Sequence, residues 1–315
     1  MKHTILGAGG SIGNALTYEL IRNGQEVRLV SRSKYSINGT DSFKDDITSF
    51  DETLESLKGS DIVYMCAGLP YDYKIWAVVW PKIMQNAIDA CIKADAKLIF
   101  FDNVYMYGKV NGIMTESTPY NPCSKKGEVR AKIAVMLEDE MKKGNLQAII
   151  ARAADLYGPY SVKTSIPYVL IIDRLMHGKS AQWLVDVDKQ HSFTYSVDCA
   201  KGLYLLAGKN DTFNQVWHLP TFSPPIDLKT FIGIAADALG VNSGYSVLKK
   251  WMIRTAGILD KPTRELYEML YQYEFDYHFD SSKFNGYFDY KPVSYDEGIK
   301  ETVRFIKNNV LQNIS

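Results

Sequence analysis

The chain carries no net charge, with 36 Lys and Arg balancing 36 Asp and Glu over 315 residues. That balance speaks against a partner held by electrostatics, whether nucleic acid or an anionic membrane. No apolar run reaches the roughly 20 residues of a spanning helix. The N-terminus lacks the charged start, apolar core and small-residue cleavage site of a secretory leader. Cysteine is scarce: Cys66, Cys91, Cys123 and Cys199 are scattered, with neither metal-site nor disulfide spacing. Internal repeats and low-complexity segments are missing too. These absences describe a cytoplasmic protein with free thiols, no metal, and no nucleic-acid or membrane partner.

What is present is a chain 46% hydrophobic and 23% charged, enough for one large α/β unit or two interleaved lobes. Its most informative stretch is the first. A short apolar strand, Thr4-Ile5-Leu6, runs into a glycine cluster, and a helical pattern follows with Ile12, Leu16, Leu20 and Ile21 on one face. Strand, glycine turn and helix make the first half of a dinucleotide-binding βαβ unit. Gly7 permits the sharp turn, Gly10 the approach of a pyrophosphate, and Gly13 close packing of helix on strand. The free N–H groups near Ser11 and Ile12 then face the phosphates.

Further strands are expected at Val27–Val30, Phe43–Ile47, Asp61–Gly68, Lys97–Phe101 and Gln147–Arg152, separated by helical patterns at 52–58, 73–94 and up to about 145. This alternation predicts an α/β fold, a Rossmann-type doubly wound parallel sheet with a smaller C-terminal substrate-binding lobe. After the second strand an acidic residue would bind a ribose 2′-OH, but the chain has Ser31-Arg32-Ser33-Lys34. Arg32 can pair with a 2′-phosphate and Ser31 can donate to it, which selects NADP, with NAD the alternative. Asp46 and Ile47 end the third strand where the adenine would lie, and Cys66-Ala67-Gly68 ends the fourth with side chains small enough for a cofactor to cross. Toward the C-terminus a helix is expected over Thr263–Tyr273, with Tyr267, Leu270, Tyr271 and Phe275 at helical spacing. That stripe is either aromatic core or the wall of an apolar pocket between the lobes.

Four segments together carry a family resemblance: G-x-x-G-x-x-G at 7–13, C-A-G at 66–68, N-V-Y-M-Y-G at 103–108 and R-A-A-D-L-Y-G-P at 152–159. F-T-Y-S-V-D-C-A at 193–200 and D-S-S-K-F…P-x-x-x-x-E-G-I at 280–299 extend it over nearly the whole chain. The sequence resembles the extended short-chain dehydrogenase/reductase superfamily, and most of all its NAD(P)-dependent epimerase/dehydratase branch. The resemblance implies a nicotinamide-binding domain over 1–160 and 191–220, and a substrate-binding lobe over 161–190 and 221–315. It places the nicotinamide near Ala153 and Ala154, and implies a small-molecule substrate near Asp155, Tyr157, His191 and Tyr271. A homodimer through helices like 73–94 and 123–145 is also implied.

At the catalytic positions the chain departs from that pattern. Where the family has Ser or Thr there is Asn103, and its Tyr and Lys fall on Lys126 and Arg130 when proline and glycine are kept in register. A shift of three would put Cys123 and Gly127 there instead. The pattern resembles the atypical members that keep the glycine fingerprint and lose the catalytic tetrad. Asn103 can donate its amide to a carbonyl oxygen, Lys126 is a candidate proton carrier, and Arg130 can hold the ribose. In an extended segment Tyr105 would point to the same side as Asn103 as a relocated phenol donor. Against this, Lys126 and Arg130 could be an exposed i,i+4 pair, and Tyr105 a packing residue. The sequence is read as an NADP-dependent oxidoreductase acting on a small carbonyl or alcohol. A nucleotide-sugar epimerase or dehydratase, and a non-catalytic NADP sensor, are the alternatives.

Overall fold

The computed structural model describes residues 1–33, 35–162 and 165–312, so Lys34 lies outside the described residues. The chain divides into two compact units. The first comprises Met1–Gly108, Thr118–Ala153 and Ala200–Leu219; the second comprises Lys109–Ser117, Ala154–Cys199 and the chain from Pro220 onward.

The first unit is built on β1 (Lys2–Leu6), β2 (Glu26–Ser31), β3 (Asp41–Lys44), β4 (Ile62–Met65), β5 (Lys97–Asp102), β6 (Ala148–Arg152) and β7 (Gln215–His218). They form one sheet in the order β7-β6-β5-β4-β1-β2-β3, and every neighbouring pair is parallel. Helices covering both faces explain why the strands read as nearly continuous apolar runs. Leu6, Val63, Met65, Leu98, Phe100 and Ile150 share one core with α3 (Tyr73–Ala94) and α4 (Lys125–Lys143). The alternate residues Ile5, Ile62, Tyr64, Ile99 and Ile149 are equally buried. β7 was not anticipated from the sequence.

Local signals set the helix ends. The Asp72 carboxylate accepts from Lys74 N–H at 2.9 Å and starts α3, and Ser124 Oγ accepts from Gly127 N–H at 3.0 Å and starts α4. Gly144, with φ of 75°, closes α4 in the left-handed region. Strand order reverses between β1 and β4, the switch point at which doubly wound sheets leave room for a ligand. The ends of these two strands carry Gly7 and Cys66-Ala67-Gly68.

The second unit has its own core, in which Trp183, Phe193, Phe231, Tyr157 and Tyr295 pack with Ile299 and Val303. The helix Leu228–Leu239 lies against the helix Tyr295–Gln312. Strand Phe193–Tyr195 pairs in parallel with Asp155–Tyr157, and Gln190–His191 pairs antiparallel with Ile226–Asp227.

The expected helix over 263–273 is corrected. An α-helix covers only Lys261–Tyr267, and a 3-10 turn covers Leu270–Tyr273. The change to three residues per turn rephases the side chains. Met269, Leu270 and Tyr273 are therefore buried, whereas Tyr267 and Phe275 are exposed.

Candidate cofactor and active site

The glycine turn has the backbone its sequence demands. Gly7 adopts φ of 90°, and its N–H, like that of Ala8, donates to Val30 O. A Cβ on Gly7 would lie 2.4 Å from Ala67 Cα, so only glycine fits between the ends of β1 and β4. Gly10 precedes α1 (Ser11–Arg22) in extended conformation and has no side chain to cap it. The first helical bond runs from Asn14 N–H to Gly10 O at 2.9 Å, so the N–H groups of Ile12 and Gly13 leave the first turn of α1 without helical acceptors. This uncapped, positively polarised end fits the pyrophosphate of a dinucleotide.

Arg32 is exposed, with no partner for its guanidinium among the described residues. Ser31 is less available than its position suggested, because its hydroxyl donates to Ser33 O within the same loop. Tyr35 was missed by sequence reasoning. Its ring lies against Gly9 and its hydroxyl donates to Asn14 Oδ1 at 2.8 Å, so it covers one side of the glycine turn. Asp46 Oδ1 accepts from Thr48 N–H, and Ile47 O accepts from Asn86, which fixes the turn after β3. Burial pushes the Cys66 thiol up to about 12, so it is a small apolar side chain rather than a nucleophile.

The end of β5 holds the candidate catalytic amide. Asn103 Oδ1 accepts from Tyr105 N–H at 3.0 Å, which directs its NH2 group away from the turn, and no acceptor for that group is found among the described residues. Tyr105 does not continue an extended segment. It opens a 3-10 turn, Tyr105–Tyr107, and its ring stacks on Trp76 with centroids 6.4 Å apart. The extended backbone that would set its hydroxyl beside Asn103 is therefore replaced by a turn. α4 begins directly against this turn, since a Cβ on Gly127 would lie 2.6 Å from Tyr105 O.

Lys126 and Arg130 are not an exposed pair, being 0% and 4% exposed respectively. The Lys126 ammonium lies 4.6 Å from the centre of the Tyr71 ring. Arg130 is paired with Asp102: Nε donates to Asp102 Oδ1 at 2.8 Å, and an Nη of the same guanidinium donates to the same oxygen. Its guanidinium also faces Trp80 and Phe100. Asp102 Oδ1 further accepts from Asn103 N–H at 2.8 Å, and Asp102 Oδ2 lies 3.6 Å from Arg152 Nε. Arg152 donates to the hydroxyls of Tyr107 and Tyr120, which contact His218 Nε2 and Glu138 Oε1. This buried network beneath Asn103 escaped sequence reasoning. One signal was available, because Asp102 and Arg152 end neighbouring strands in direct register.

Ala153 N–H donates to Asp102 O at 3.1 Å, and Ala153 is buried at the end of β6. The other predicted residues fall in the second unit. Ala154 N–H donates to Thr194 Oγ1. Tyr157 is 1% exposed, packed among Tyr195, Phe231 and Tyr295, and offers no surface to a ligand. His191 and Asp155 are brought together, with Nε2 to Oδ2 at 3.1 Å. Tyr271 is half-buried in the 3-10 turn. Among the described residues no group of three His, Cys, Asp or Glu could hold a metal ion, and no helix is long and apolar enough to cross a membrane.

Comparison with known proteins agrees with this geometry. A family model described as the NAD dependent epimerase/dehydratase family matches residues 3–218. An uncharacterised UDP-glucose epimerase of Bacillus subtilis is 22% identical over 242 residues, covering 66% of this chain and 73% of that protein. A dTDP-4-dehydrorhamnose reductase of Mycobacterium tuberculosis is 26% identical over 212 residues, 64% of each chain. Among solved structures, dTDP-glucose 4,6-dehydratase from Streptomyces venezuelae with NAD bound superposes with a TM-score of 0.80 at 18% identity, covering 99% of this chain and 98% of that one. UDP-glucuronic acid 4-epimerase from Bacillus cereus in complex with NAD gives 0.79 at 19% identity, covering 98% and 99%. At such identities the structural likeness is one of fold.

Proposed function

Because the chain belongs to the NAD-dependent epimerase/dehydratase family, we propose that it is an NAD(P)-dependent enzyme that oxidises a carbinol carbon of a small hydroxylated substrate and returns the hydride, as epimerases and dehydratases do. The family model and the Bacillus subtilis epimerase support this reading, whereas the Mycobacterium tuberculosis relative is a reductase. The turn Gly7–Gly13 with the N–H groups of Ile12 and Gly13 would hold the pyrophosphate. Asp46 and Ile47 would meet the adenine, and Cys66-Ala67-Gly68, Ala153 and Ala154 would form the floor for the remainder. Arg32, exposed and unpaired among the described residues, supports a 2′-phosphate and hence NADP. Bound there, the nicotinamide supplies a hydride acceptor and donor at its C4.

The observation that carries the reading is the glycine turn joined to an oriented amide donor at the end of β5. Asn103 holds its Oδ1 within its own turn and presents Nδ2–H to a substrate oxygen. Lys126, at the head of α4, is fully buried with its ammonium on the Tyr71 ring, so it supplies positive charge at this end of α4 and not a proton to the substrate. Arg130 holds Asp102, whose carboxylate in turn holds Asn103 N–H. Its engagement there with two of its nitrogens is the one observation that favours a non-catalytic NADP sensor. Val78 on α3 and Val135 on α4 are exposed, consistent with a homodimer through these helices.

Titration by tryptophan fluorescence with NADPH and NADH, on the wild type and Arg32→Ala, tests the cofactor. NADPH binding weakened tenfold or more in Arg32→Ala supports the assignment, and equal NADH binding overturns the role of Arg32. Substrate turnover that falls at least a hundredfold in Asn103→Ala, with cofactor affinity unchanged, supports the enzyme. Cofactor binding without turnover on any hydroxylated substrate supports the sensor.

A further inference from the structure

The second unit turns apolar side chains outward on one short hairpin. The helix Lys250–Ala256 runs through a turn into the helix Lys261–Tyr267. Helical bonding continues into that turn, where Gly257 N–H donates to Ile253 O and Asp260 N–H to Ala256 O. Trp251, Thr255 and Ile258 therefore share one side with Met252, Ala256 and Leu259, and all six are exposed. Ile253 and Gly257, on the opposite side, are buried. Trp251 is 68% exposed, Ile258 71% and Leu259 96%, an outward apolar face of the kind that marks an interaction site. The Thr255 hydroxyl bonds to Trp251 O and Met252 O, so it adds no free polar group to that face.

The hairpin is well fixed although it adds little to the core. A Cβ on Gly257 would lie 2.9 Å from Arg264 Cα, so the backbone of the turn touches the second helix. Asp260 Oδ2 accepts from Thr263 N–H at 2.8 Å and caps that helix, which opens on Lys261 and Pro262. None of its residues is buried, so its role is to brace the exposed turn and to set cations beside it. Over 249–264, Lys249, Lys250, Arg254, Lys261 and Arg264 face Asp260 as the single acid. The next acids, Glu265 and Glu268, are half-buried, and Lys250 pairs with Glu274. Lys249 and Arg254 form no ion pair among the described residues. The zero charge of the whole chain averages over this segment, but screening limits what a surface feels to charges within about 8–10 Å.

Apolar side chains flanked by cations complement a surface that is apolar within and anionic at its rim. Nucleic acid offers nothing to Ile258 and Leu259, and a second copy of this face would set the same cations against each other. A tryptophan at the border of the apolar face, with Lys and Arg whose stems lie along it while their heads reach outward, is the composition of an interfacial anchor. We propose that residues 249–264 dock the protein reversibly on a bilayer of acidic phospholipid. Trp251, Met252, Ile258 and Leu259 enter the boundary between headgroups and acyl chains, and Lys249, Arg254, Lys261 and Arg264 meet the lipid phosphates. The attachment is peripheral, since no helix among the described residues is long and apolar enough to cross a membrane. It requires neither the cofactor nor the reaction.

Trp251 is its own reporter, because the other four tryptophans, Trp76, Trp80, Trp183 and Trp217, are buried. Vesicles of equimolar phosphatidylcholine and phosphatidylglycerol added to the full chain should move its emission to shorter wavelength. Co-sedimentation should show binding at least tenfold tighter than to phosphatidylcholine alone, weakening as salt is raised. Ile258→Ser combined with Leu259→Ser should lower binding to the mixed vesicles at least tenfold at an unchanged melting temperature, since both side chains are exposed. Lys249→Gln combined with Arg254→Gln should lower it about fivefold or more and flatten the salt dependence. Trp251→Phe should abolish the emission shift while the protein still sediments with the mixed vesicles. The proposal is overturned if the chain does not bind the mixed vesicles, if it binds both lipids equally, or if the Ile258→Ser, Leu259→Ser variant binds as the wild type does. Self-association without lipid in analytical ultracentrifugation, lost in that same variant, would assign the face to a second copy and overturn the proposal as well.

Discussion

Arg130 and Asp102 form a buried pair in which two guanidinium nitrogens converge on one carboxylate oxygen. The other oxygen lies 3.6 Å from Arg152 Nε, so a single carboxylate serves two buried cations. Removing it strands both. Asp102→Ala is expected to destabilise the fold by about 3–5 kcal/mol, the usual cost of breaking a buried ion pair from one side. Arg130→Met should cost clearly less, because Arg152 remains to balance Asp102. Urea unfolding of the two variants checks the order, and equal losses would mean that Arg152 does not share the carboxylate.

Gly298 and Tyr157 are in similarly close contact within the second unit. A Cβ on Gly298 would lie 2.5 Å from the Tyr157 hydroxyl oxygen, which is buried and lacks a hydrogen-bond partner among the described residues. Gly298→Ala is expected to cost about 1–3 kcal/mol through overpacking. Tyr157→Phe alone should be neutral or slightly stabilising, since it removes an unsatisfied group. In the double variant most of the alanine penalty should vanish, a coupling of about 1 kcal/mol or more by thermal or chemical unfolding. Simple additivity would refute the contact.

His3 predicts an acid sensitivity. It is buried in β1, its Nδ1 3.0 Å from the Tyr64 hydroxyl and its Nε2 3.2 Å from Gln25 Oε1. Burial is the main cause that lowers its pKa from the usual 6.5 to about 4. The unfolded chain therefore takes up a proton below about pH 6.5 that the folded chain refuses until about pH 4. Stability attributable to this group is constant above pH 6.5 and declines as the pH falls through that window. Between pH 7 and pH 4.5 the loss approaches about 2 kcal/mol. Comparing the pH dependence of unfolding in the wild type and His3→Gln isolates it, and identical slopes would exclude His3 as the source.

The glycine turn and six of the seven strands were legible because each is a local pattern. Gly7, Gly10 and Gly13 have fixed spacing, and strands buried on both faces are short apolar runs. β7, Gln-Val-Trp-His, was not legible, because four residues with polar ends carry too little pattern. The C-terminal aromatic stripe misled for a related reason. Its helical spacing presumes 3.6 residues per turn, and the chain changes pitch after Tyr267. At the site, Asn103 and Lys126 are proposed from their positions in the pattern, but the engagement of Arg130 was not legible. Its partner is 28 residues away on another element, and nothing in i,i+4 spacing reveals it. The pairing of His191 with Asp155, 36 residues apart, was hidden in the same way.

The Asp102–Arg130 pair also bears on how this site can change over time. Lys126→Tyr and Arg130→Lys would restore the family's tyrosine and lysine, and Asn103→Ser the third departing position. Arg130→Lys would remove the planar fork that grips Asp102 and leave Arg152 as its remaining guanidinium partner. The path back thus passes through a loss in the interior. The present arrangement is entrenched, a ratchet in sequence space that favours elaborating Asn103 over restoring a tyrosine and lysine.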